Sequence, residues 1–170
     1  DNYSVGHGGG IFISAGCQIN LLHATISNNT VGPDDVFGAG IYADGGNAAL
    51  VNSIVYYNRL MDDDGINYNL NGYSQNIFME YDISYSDIEG DNDWIPTGEG
   101  NISINPAFMN FAEGVFSLQF DSPCIDAGTA DLDGDEVEDI MDYFNQAPDM
   151  GSFEYEGTIL TGDLNGDGIL

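Results

Sequence analysis

A segment followed by a looser copy of itself, between Gly8 and Asn58, constrains this chain more than any other feature. The first copy runs Gly8-Gly9-Gly10-Ile11-Phe12-Ile13, then Gln18-Ile19-Asn20-Leu21-Leu22, then Ala24-Thr25-Ile26-Ser27-Asn28-Asn29. The second runs Gly38-Ala39-Gly40-Ile41-Tyr42-Ala43, then Ala48-Ala49-Leu50-Val51, then Asn52-Ser53-Ile54-Val55-Tyr56-Tyr57-Asn58. Gly10 and Gly40 are 30 residues apart, whereas Leu22 to Leu50 and Ile26 to Ile54 are each 28, which implies a turn shortened by two residues. A unit of three short strands cannot bury its apolar face alone and must stack on a neighbour.

Within each copy the apolar residues alternate, with Ile11 and Ile13 on one side and Phe12 and Ser14 on the other. Turn residues such as Ala15-Gly16 and Asp44-Gly45-Gly46-Asn47 separate the strands. Three strands and three turns per repeat describe one coil of a right-handed parallel β-helix. The expected fold is therefore all-β, a solenoid of a few coils with an irregular, acidic C-terminal cap. Stacking is expected to set Ile26 over Ile54 in an aliphatic column and Asn29 near Asn58 in an asparagine ladder.

Coils are expected across residues 1–128, with loop insertions near 60–76 and 89–100. Strand signal returns at Ile77-Phe78-Met79, at Asp82 to Ile88 and at Gly114 to Phe120. Trp94, in the second insertion, reads as a loop anchor or as a ring able to stack on a sugar. Residues 129–157 read as the cap, and 158–170 as a linker and the opening of a calcium loop.

Charge narrows the function classes. The 29 acidic residues face one arginine, Arg59, and no lysine, for a net charge of −28. Such a field repels nucleic acid and anionic membrane surfaces. It suits cation binding, or simply a solvated acidic surface. No apolar run approaches the roughly 18–20 residues of a membrane helix. The opening Asp1-Asn2-Tyr3 and the closing Gly166 to Leu170 read as the limits of a fragment from a longer secreted protein. Cys17 and Cys124, 107 residues apart, read as buried free thiols in preference to a disulfide spanning several coils.

The succession Tyr85-Ser86-Asp87-Ile88-Glu89-Gly90, Asn105-Pro106-Ala107-Phe108, Ser122 to Gly128 and Asp149 to Tyr155 resembles the C-terminal part of secreted bacterial right-handed parallel β-helix repeat proteins. That resemblance implies an extracellular or cell-surface protein in which a sorting or anchoring module often follows. It leaves function open, because the family holds uncharacterised surface proteins beside polysaccharide-degrading enzymes.

Two acidic stretches carry metal-ligand spacing. From Asp131 to Asp142, carboxylates fall at loop positions 1, 3, 5, 9 and 12 (Asp131, Asp133, Asp135, Asp139, Asp142), and Val137 offers a carbonyl at position 7. Oxygen donors at alternate residues converge on a hard cation when the chain curls, as in an EF-hand loop. The match is inexact, with glycine at position 4 in place of 6 and the shorter aspartate at 12. Asp149 and Glu154 are possible additional ligands. Asp163, Asn165 and Asp167, followed by Gly168 and Ile169, resemble the first half of a dockerin-type calcium repeat.

Catalytic signals are thin. β-helix lyases resemble one another in using a lysine or arginine base, for which Arg59 is the sole candidate; an ion pair with Asp62 or Asp63 is its plainer reading. Asp87 and Glu89 could share a strand face as a glycosidase pair, but 29 acids make some such pair inevitable. His7, between glycines, reads as a turn residue, and His23 as a packed or turn-edge residue at the place Val51 fills in the second copy. The sequence thus points to a non-catalytic secreted or cell-surface scaffold, closed at its C-terminal end by calcium. Glycan or protein contact and self-association through open edges are its expected partnerships. The alternative is a fragment of a polysaccharide-degrading lyase or hydrolase.

Overall fold

A computed structural model describes residues 2–32, 38–61, 67–68, 77–90 and 95–157, with backbone alone at 67–68 and 77–81. Trp94 and the pair Asp62 and Asp63 lie outside the described residues. The chain is all-β and built largely of parallel pairings. The first copy supplies β2 (Ile11–Ser14), β3 (Gln18–Leu22), β4 (Thr25–Ser27) and β5 (Thr30–Val31), preceded by β1 (Tyr3–Ser4). The second supplies β6 (Ile41–Val51), β7 (Ile54–Tyr56) and β8 (Arg59–Met61). Inside the expected first insertion, β9 (Asn67–Tyr68) turns back antiparallel on β8. A third copy follows as β10 (Ile77–Ser84) and β11 (Asp87–Ile88).

These strands form three sheets. One is ordered β10-β6-β2 with β3 also on β6, a second β11-β7-β4, and a third β1-β5-β8-β9. Register corrects the sequence reading. Leu21 lies opposite Leu50, and Ile26 opposite Val55, not Ile54. The copies are therefore 29 residues apart at these positions, and the turn has lost one residue net: Ala15, Gly16 and Cys17 join Ser14 to Gln18, whereas Gly46 alone joins Gly45 to Asn47. The interior column is Ile26, Val55 and Ile88, beside Leu21, Leu50 and Ile83. Burying each such aliphatic side chain contributes about 1.5–3 kcal/mol.

Turns between strands repeat in the same places. His23, Asn52 and Tyr85 occupy successive copies and all take left-handed φ, at 48°, 51° and 46°. Asparagine and histidine tolerate that region better than tyrosine, whose presence there fits a conformation set by the stack. His23 thus lies opposite Asn52, not Val51: its amide donates to Val51 O, and its Nε2 lies 3.2 Å from Asn52 Nδ2. One residue on, side chains carry the ladder: Ala24 N donates to Ser53 Oγ, Ser53 N to Ser86 Oγ, and Ser86 N to Asn101 Oδ1. At the next corner Asn2 Nδ2 donates to Asn29 Oδ1 at 2.8 Å, and Asn29 Nδ2 to Asn58 Oδ1 at 2.9 Å. The expected asparagine ladder therefore has three members among the described residues.

Parallel pairing ends at a single bridge between Asp87 and Ile102. The stretch 104–128, expected to continue the coils, instead holds an antiparallel hairpin of β12 (Phe108–Asn110) and β13 (Val115–Leu118). With residues up to Tyr155 it folds over the β4-β7-β11 sheet, where Ile54, Phe108, Leu118, Cys124 and Met150 form a second buried cluster. Ile54 thus points away from the interior column into this C-terminal segment. Cys124 is buried as expected, but Cys17 is exposed, and neither is bonded to the other.

Candidate metal centre and the buried carboxylates

The acidic loop hangs from a fixed root. Buried Asn52 accepts from Thr129 N at 2.8 Å and donates to Thr129 O at 2.8 Å, and Gly128 N donates to Pro148 O. The loop closes on itself where Asp139 N and Ile140 N both reach Ala130 O. Gly134 and Glu136, at φ 77° and 67°, supply the reversals in between. The result gathers Asp131, Asp133 and Asp139, each offering a carboxylate oxygen within 4.8 Å of the others.

Backbone amides orient these groups. Asp131 accepts from Gly134 N at 2.8 Å and Glu136 N at 2.9 Å, Asp139 from Leu132 N at 2.8 Å, and Asp133 from Asp135 N at 3.2 Å. Desolvation opposes ionisation of Asp131, but the amides of Gly134, Glu136, Asp135 and Asp133 together hold it below the ordinary carboxylate value. Each carboxylate has about four lone-pair directions, so one amide bond per oxygen leaves capacity for a cation. Hard, oxygen-seeking ions such as calcium fit that donor chemistry, with carbonyl or water oxygens completing their shell.

The other sequence candidates fall elsewhere. Asp135, whose Oδ1 accepts from Val137 N, is not among the three gathered carboxylates. Asp142 lines a separate recess with His23, Ile140 and Glu154. Asp149 and Glu154 are committed to the C-terminal segment: Asp149 accepts from Asp126 N and Tyr155 N, while its own amide donates to Glu154. Asp163, Asn165 and Asp167 lie outside the described residues.

Asp87 and Glu89 sit on the sheet face that the C-terminal segment covers. Asp87 is 0% exposed and Glu89 7%, so neither presents an open carboxylate to a polysaccharide. Asp87 accepts from Ile104 N at 3.1 Å and from the Cys124 thiol at 3.4 Å; Glu89 accepts from Tyr57 N at 2.8 Å. Burial pushes Asp87 up to about 7, against the two hydrogen bonds and with help from Glu89. Burial, then Glu89 and Asp87, also push the Tyr56 phenol up. Sequence reasoning paired the two acids but missed their burial. The available signal was their alignment, 33 residues on, with Ile54 and Tyr56.

The basic and imidazole candidates are also packed. Arg59 lies with its guanidinium carbon 5.5 Å from the centre of the Phe111 ring, and His7 stacks on Tyr42 at 4.3 Å. No protein-family model matches this chain, and no curated protein or solved structure is significantly similar to it.

Proposed function

We propose that this chain is a non-catalytic scaffold, a right-handed parallel β-helix segment of a secreted or cell-surface protein, whose C-terminal segment is secured by calcium in the Asp131 to Asp139 loop. The observation that carries the reading is the in-register parallel pairing of three successive copies at 29 to 36 residue intervals. Repeated strands of this kind make an extended, nearly uniform surface suited to contact with glycans, partner proteins or further coils. A catalytic reading finds less support, since Asp87 and Glu89 are buried and Arg59 is packed on Phe111. The dockerin-like opening at Asp163 to Ile169 remains part of the proposal, as a second calcium-dependent module.

Calcium has a definite task in this reading. Three carboxylates within 4.8 Å of one another repel when ionised, and a divalent ion converts that repulsion into a tie. A hundredfold excess over Kd stabilises the folded state by about 2.7 kcal/mol, a melting shift of roughly 5–10 °C. Thermal melts with calcium and with chelator, at matched ionic strength, should differ by this much in the wild type and coincide in Asp139→Asn. Coincident wild-type curves would remove calcium from the proposal and leave the scaffold standing.

A further inference from the structure

The junction between the β4-β7-β11 sheet and the C-terminal segment is closed over an acid with no cationic partner among the described residues. Asp87 is fully buried at the end of the stack, and both its hydrogen-bond donors belong to the segment that covers it, Ile104 N and Cys124 Sγ. The titratable groups that face it are Glu89 just past the end of its own strand, Tyr56 on β7 with Tyr57 next to it, and Cys124 in the covering segment. Asp149, further along that segment, acts in turn on Cys124. None of these becomes positive at any pH, and the chain has one arginine and no lysine to offer.

We propose that Asp87 is a proton-operated latch: with its carboxyl protonated the C-terminal segment is seated on the sheet, and with the carboxylate ionised the segment is loosened. A neutral carboxyl crosses into this apolar junction at little cost, whereas an ionised one must lose its hydration beside Glu89 with one amide and one thiol in return. The raised value, about 7, places the switch at neutral pH. In sign, a carboxyl that binds its proton more tightly folded than unfolded contributes stability fully present below the unfolded value. That contribution is lost as pH rises through about 7.

The test uses the 170-residue chain in chelator at constant salt. Urea unfolding should give an unfolding constant about tenfold larger at about pH 8.5 than at about pH 6, one proton's linkage. Asp87→Asn keeps an acceptor for Ile104 N, retains both histidines as controls, and should be flat across the same range. A flat wild type, or an equal slope in the variant, overturns the latch. Should the variant fail to fold, two wild-type measurements decide. One is the Asp87 side-chain carbonyl followed by NMR: titration near 7 upholds the latch, and titration near an ordinary 4 overturns it. The other is alkylation of Cys124 in a Cys17→Ser background, scaled by the rate of the unfolded chain at each pH. A scaled rate rising about tenfold upholds opening of the segment, and a constant one overturns it.

Discussion

Single side chains set the corners of this protein. Asn58 is 1% exposed and makes bonds that no apolar replacement can copy: Oδ1 receives both Asn29 N and Asn29 Nδ2, and Nδ2 donates to Ile26 O. Asn58→Ala strands an amide N–H, a side-chain NH₂ and a carbonyl in a site closed to water. The expected loss is about 2–4 kcal/mol, read as a lowered urea midpoint at unchanged slope. Combining Asn29→Ala with Asn58→Ala should cost less than the sum of the two single losses, because the two share one chain of bonds. A double mutant whose loss equals that sum would show that the ladder acts as separate residues. Asn29 and Asn58 were legible in the sequence because their role is positional: both fill the same corner, 29 residues apart, whereas Asn2, 27 residues before Asn29, escaped.

Strands were harder to align than corners. Matching Ile26 to Ile54 gives an interval of 28, one less than the asparagine pair implies, and a one-residue slip exchanges the two faces of a strand. Ile54 and Val55 are both aliphatic and both 0% exposed, so composition could not say which faces inward. The cause lies 54 to 96 residues along the chain, from Phe108 to Met150, in a C-terminal segment that makes the outer face apolar too. The β12 and β13 hairpin escaped for a related reason: alternation marks a strand, not the direction of its partner. The acidic loop was half legible. Spacing picked out Asp131, Asp133 and Asp139, but backbone reversals at Gly134 and Glu136 turn Asp135 to its own local amide. The seating of the C-terminal segment can be probed at Gly151, whose φ of 98° and N–H to Asn52 O fix the crossing point. A Cβ there would lie 2.8 Å from Ile54 Cδ1 and 2.9 Å from Thr25 Oγ1. Gly151→Ala is therefore expected to cost about 1–3 kcal/mol and to speed proteolysis within residues 104–157 before the sheets are cut.

At the scale of the whole molecule, a net charge of −28 on 18.2 kDa opposes compaction everywhere, whereas a cation in the acidic loop would act in one place. The two effects differ in concentration dependence. Screening deepens gradually as the Debye length falls from ~30 Å at 10 mM salt to below 10 Å above 0.1 M. Binding to a site saturates and adds RT ln(1 + [L]/Kd). In chelator, the melting temperature should climb steadily with sodium chloride, by several degrees between about 10 mM and 0.5 M. Asp139→Asn should follow the same slope, because one charge in 28 barely alters the field. Calcium added at constant ionic strength should then produce a further, saturating rise in the wild type alone. A calcium response that matched magnesium and sodium at equal ionic strength would mean that general screening accounts for it. The acidic loop would then be one more solvated edge of a highly charged molecule.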